Sequence, residues 1–129
     1  MYELTAETVR VLLIDSDDST SRTFTRILQK NNMTVSLARN SQDARKEIEA
    51  THFDAVVISL EVPDVDGKDL LVFAKSAVPN VARLVAIDVP SLETGIKALE
   101  SGADAVFSKP VVPEALVSVI KKIVSTSQT

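Results

Sequence analysis

Cysteine is absent from the 129 residues of this chain, which excludes disulfides, thiolate zinc sites and a cysteine nucleophile. Histidine is almost absent: His52 is the sole copy, beside Phe53 in what reads as a loop, and neither a catalytic triad nor a His-based metal site can be built on it. Three glycines and five prolines, spread along the chain, are too few for a low-complexity segment, and no repeat appears at a solenoid period. A Gly-rich phosphate loop is missing as well, so dinucleotide binding has no support. The apolar runs fall far short of the ~20 residues that a membrane span needs, and the first ten residues, "MYELTAETVR", carry acids instead of an apolar stretch. Positive charge is in deficit, with a net charge of −4, which opposes a broad nucleic-acid footprint. The expectation is a cytoplasmic protein that binds neither membrane nor nucleic acid.

What remains is 45% hydrophobic and 25% charged, a balance suited to one compact domain over 1–129 with one core. Residues 1–8 read as an N-terminal extension, and 125–129 as a polar tail or the start of a linker. Short apolar runs recur at Val11 to Ile14, Val35 and Leu37, Ala55 to Leu60, Leu84 to Ile87, and Ala105 to Phe107. Runs without polar alternation predict parallel strands covered on both faces. Between them Phe24, Ile27 and Leu28 share one helical face, as do Ala44 and Ile48, then Leu70, Leu71 and Ala74, then Leu92, Ile96 and Leu99. A fifth helix follows Pro113, with Leu116, Val119, Ile120 and Ile123 at helical spacing. The pattern is α/β, a doubly wound (βα)5 chain.

In such sheets a site lies beyond the carboxyl ends of the strands. Those ends carry Asp15, Ser16, Asp17 and Asp18 after the first strand, Ser59 at the third, Ile87 and Asp88 at the fourth, and Ser108, Lys109 and Pro110 at the fifth. Acids and a lysine converge on one rim. The run "DDSTS" reads first as a helix cap, because carboxylates there accept the unbonded amides of a first turn.

Three motifs in order, "VLLIDSDD", "FDAVVISLEVPDVDG" and "ALESGADAVFSKP", make the chain resemble the receiver domain of two-component response regulators, the CheY-like family, over essentially its whole length. The resemblance implies a flavodoxin-like sheet of five parallel strands in order 2-1-3-4-5. It also implies a pocket in which two acids and a phosphoacceptor aspartate hold Mg²⁺. Here the first acid is Asp15, the second is replaced by Ser16, and the acceptor by Ser59. The hydroxyl position of the fourth strand is Ile87, or Ala86 if the strand shifts by one, the aromatic switch position is Val106 with Phe107 beside it, and Lys109 and Pro110 are retained, the latter with the cis peptide usual in the family. The pattern resembles a pseudo-receiver.

Chemistry gives these departures weight. A receiver carboxylate attacks a phosphohistidine as an anion, with Mg²⁺ neutralising the phosphoryl oxygens, whereas a serine hydroxyl needs a base to remove its proton. Mg²⁺ wants hard anionic oxygens in octahedral array, and two of three expected carboxylates are gone. No cofactor is expected, Mg²⁺ being at most weakly bound through Asp15 and Asp17. Lys109 is expected to bridge to Asp15. The expected role is a non-enzymatic signalling module that works by protein contact or self-association through the fourth helix, fifth strand and fifth helix. The alternative is a phosphorelay receiver that accepts phosphate on a rearranged acid, Asp17 or Glu61.

Overall fold

β1 (Val9–Ile14) is apolar at every inner position because helices cover both of its sides: Leu12 and Ile14 enter one core, Val11 and Leu13 the other. The computed structural model describes residues 9–59, 67–87, 92–109 and 111–127. The chain continues through α1 (Asp18–Lys30), β2 (Met33–Ala38), α2 (Ser41–Ala50), β3 (Ala55–Ser59), α3 (Gly67–Ala77), β4 (Ala82–Ile87), α4 (Leu92–Glu100), β5 (Ala105–Ser108) and α5 (Pro113–Ser127). All strand pairs are parallel, and the sheet order is β2-β1-β3-β4-β5. This is the doubly wound, flavodoxin-like arrangement expected from the sequence. No helix among the described residues is long and apolar enough to cross a membrane.

The one core expected from composition is divided by the sheet into two, which assign the helices to sides. Phe24 and Leu28 of α1 and Leu116, Ile120 and Val124 of α5 close over Val57 and Leu84. Ala44 and Ile48 of α2, Leu70, Leu71 and Ala74 of α3, and Ala98 of α4 close over Val56, Ile58 and Val85. Burying a Leu or Ile side chain stabilises by roughly 1.5–3 kcal/mol, so the dozen largest fully buried side chains outweigh any single polar contact. Local signals place the ends. Asn31 donates its side-chain amide to Ile27 O at 2.9 Å, and Asn32 adopts a left-handed φ of 65°, a conformation that asparagine tolerates.

α4 departs from its sequence pattern. Ile96 and Leu99, on the face that the spacing predicts to be buried, stand 44% and 52% exposed, and among the described side chains of α4 Ala98 is the one buried in the core. Helix α4 also carries Gly95 in its interior, where a Cβ would meet nothing within 4 Å. Gly95→Ala should therefore stabilise the protein by about 0.5–1 kcal/mol, since alanine loses less backbone entropy in a helix. A raised urea midpoint with unchanged slope is the expected result, and a lowered one would show that α4 needs the glycine.

Below β4 lies a buried arginine. Arg83 lines β4 but sends its guanidinium to the loop carbonyls: Nε donates to Gly102 O at 2.6 Å, and Nη1 to Val81 O at 3.1 Å and Pro79 O at 3.3 Å. Its backbone amide donates to Asp104 Oδ2 at 2.8 Å, and the Asp104 amide donates back to Arg83 O at 2.6 Å. Gly102 is held at φ 117°, a value that a side chain strains, which is why the turn after α4 takes glycine.

Candidate functional site

The carboxyl ends of β1, β3 and β5 bring Asp15, Ser59 and Lys109 to one rim. Asp15 leaves β1 with its amide donating to Ala38 O at 3.0 Å, which extends the pairing with β2 by one residue and buries the side chain to 5% exposure. Its Oδ1 accepts the Asp17 amide at 2.9 Å, a bond two residues long that folds the chain tightly into α1. Ser16 points to solvent between them. Asp17 is the N-cap of α1, and its Oδ2 accepts the Thr20 amide at 3.0 Å as well as the Thr20 hydroxyl. Those bonds hold the Asp17 carboxyl below its ordinary pKa, the hydroxyl contributing most and the amide next, with further help from the charges of Lys109 and Arg22. The capping role expected for the acidic run is what the structure contains.

Ser59 ends β3 and is 3% exposed. Lys109 follows β5, its amide donates to Ile87 O at 2.9 Å, and its Nζ donates to Ser59 Oγ at 2.6 Å. The expected salt bridge from Lys109 to Asp15 is not formed. Two local facts account for this: the Asp15 carboxylate is already turned to the Asp17 amide, and the serine oxygen lies within direct reach of the ammonium. The bond from Lys109 to Ser59 is not among the contacts expected from the sequence. The available signal was the pairing of a small hydroxyl with a retained lysine at two positions that face each other in the resembling family.

Ile87 closes the site from β4 as a core residue, 5% exposed, opposite Ser108 in register. Val106 is half-buried and packs against the α2–α3–α4 core, whereas its neighbour Phe107 packs against the α1–α5 core. Alternation along β5 thus sends the one aromatic ring of the strand to the side away from α4. Glu61, Asp88 and Pro110 lie outside the described residues, and with them the expected cis peptide.

The donor set among the described residues does not fit Mg²⁺. Of the positions that the resemblance assigns to the metal, Asp15 alone is a carboxylate, Asp17 is committed to Thr20, and Ser16 and Ser59 offer neutral oxygens. No three His, Asp or Glu side chains among the described residues gather into a ligand group.

Comparison with known proteins is consistent from three directions. The family model for the response regulator receiver domain matches residues 11–121. Response regulator MprA from Mycolicibacterium vanbaalenii is 29% identical over 110 residues, 85% of this chain and 48% of that protein. The chain therefore spans about half the length of this relative. Among solved structures, a CheY-like response regulator receiver domain protein from Methanospirillum hungatei superposes with a TM-score of 0.89 at 27% identity, covering 95% of this chain and 98% of that one. The beryllofluoride-activated NtrC4 receiver domain dimer superposes with a TM-score of 0.86, also at 27% identity, covering 92% and 98%.

Proposed function

This chain belongs to the response regulator receiver domain family, and on that basis we propose that it is a pseudo-receiver: a signalling module that works through protein contact without aspartyl phosphorylation and without catalysis of its own. The observation that carries this reading is the 2.6 Å hydrogen bond from Lys109 Nζ to Ser59 Oγ. A neutral hydroxyl stands where the family's carboxylate would attack, and it accepts from an ammonium group, which draws electron density away from the oxygen. The lysine that would receive a phosphoryl oxygen in an active receiver is already engaged at rest.

The working surface in this reading is α4, β5 and α5, where Ile96 and Leu99 present apolar side chains to solvent. Its occupant is a protein partner or a second copy of the chain, as the dimer of the similar NtrC4 receiver domain suggests by analogy. The experiment is treatment with acetyl phosphate and Mg²⁺ followed by intact mass. No change in mass is the expected outcome. Gain of one phosphoryl group, labile to hydroxylamine, would instead support acceptance on a rearranged acid such as Asp17 or Glu61 and would end the pseudo-receiver reading.

A further inference from the structure

α1 carries Arg22, Arg26 and Lys30 at intervals of four residues, so three cations form one ridge on the helix. Like charges at this spacing disfavour a helix unless something anionic faces them. Arg22 and Arg26 form no ion pair among the described residues, although the chain as a whole has an excess of acids. The ridge borders a cleft of about 360 Å³ between α1 and the end of β2. Arg39 enters the cleft from the far side, held by Asp18, the one acid among the described residues of its wall. Leu37 supplies an apolar floor, 39% exposed, beside the polar groups of Thr25 and Gln29.

We infer that this cleft is a binding site for a phosphate-bearing small molecule of nucleotide size. Three guanidinium groups against the Asp18 carboxylate in the wall and the Asp17 carboxylate near Arg22 leave a positive local balance. Guanidinium is the side chain whose fork of donors matches phosphate oxygens two at a time. The Asp18 bond uses part of the Arg39 fork and fixes its position, leaving other N–H donors to turn inward. The volume lies in the range of small-ligand pockets, and Leu37 with the arginine stems gives a flat ring an apolar surface to rest on. The lining of the cleft includes none of Asp15, Ser59 and Lys109.

The test is titration of the 15N-labelled protein with ATP, pyrophosphate and citrate in separate arms, in the absence of divalent metal. ATP is expected to give saturable amide shifts at Arg22, Arg26, Leu37 and Arg39 with a submillimolar Kd, pyrophosphate weaker shifts at the arginines, and citrate no saturation. Arg22→Ala/Arg26→Ala should weaken ATP by at least about tenfold, whereas Lys46→Ala on α2 should leave it unchanged. Both arginines are exposed, so the double variant should keep its fold, which its melting curve checks. Absence of saturation with ATP, or citrate binding as tightly as ATP, overturns the assignment. Full affinity in Arg22→Lys/Arg26→Lys also overturns it, because diffuse charge would then suffice.

Discussion

Replacing Arg83 with methionine is expected to cost about 3 kcal/mol of folding stability, a large loss for one polar side chain. Methionine keeps an unbranched apolar stem in β4 but cannot donate. The carbonyls of Gly102, Val81 and Pro79 then lose their guanidinium partners together. A buried carbonyl left without a donor costs about 1–3 kcal/mol, and the loop that presents these groups can relax only by moving the turn at Gly102. The ion pair to Asp104, at 3.7 Å, adds little, because Asp104 is about one-third exposed and its charge can turn to water. The sum therefore falls at the lower end of the range for breaking a buried pair. Urea unfolding should show a lowered midpoint with the slope unchanged. Asp104→Asn should lose less, since the asparagine oxygen can still accept the Arg83 amide. A loss below about 1 kcal/mol for Arg83→Met would mean that water replaces the guanidinium and that the network is decorative.

The fold is legible in the sequence because its signals are local and redundant. Val11 to Ile14 and Ala55 to Ser59 are continuous apolar runs that only a two-sided core explains, and Pro113 and Asn31 mark helix ends by their own backbone preferences. Arg83 is harder to read, since a charge at the start of an apolar run looks like a strand boundary. The structure places it inside β4, where the network with Gly102 and Asp104 makes its burial tolerable. The positions of the pocket are legible, but not their partners. Whether Lys109 reaches Asp15 or Ser59 depends on a few ångströms of side-chain geometry. It is decided by a bond that sequence spacing does not announce, the Asp17 amide on Asp15. α4 fails for a related reason: the spacing of Ile96 and Leu99 fixes a shared face but not the direction in which the helix turns it.

Ser16→Asp combined with Ser59→Asp is expected to give a chain that accepts a phosphoryl group from acetyl phosphate, without restoring a switch. The two substitutions return the missing carboxylates beside Asp15, which is already buried at the rim. Three anionic oxygens can then hold Mg²⁺ at millimolar concentrations, and the carboxylate at position 59 attacks as an anion with no base required. Lys109, now 2.6 Å from Ser59 Oγ, is placed to receive the incoming oxygens. Intact mass should rise by one phosphoryl group, and hydroxylamine should remove it, as it does an acyl phosphate. Propagation is a separate matter. In the family a hydroxyl on the fourth strand follows the phosphoryl group and an aromatic ring on the fifth strand follows the hydroxyl. Here Ile87 has no polar atom to move and is packed in the core, and Val106 has no ring. Amide shifts on phosphorylation should thus be confined to the ends of β1, β3 and β5 and leave Ile96 and Leu99 on α4 unmoved. Shifts that spread along α4 would show that the core transmits the charge without either switch residue. A double variant that binds Mg²⁺ yet stays unmodified would show that Lys109 remains committed to residue 59 and blocks attack.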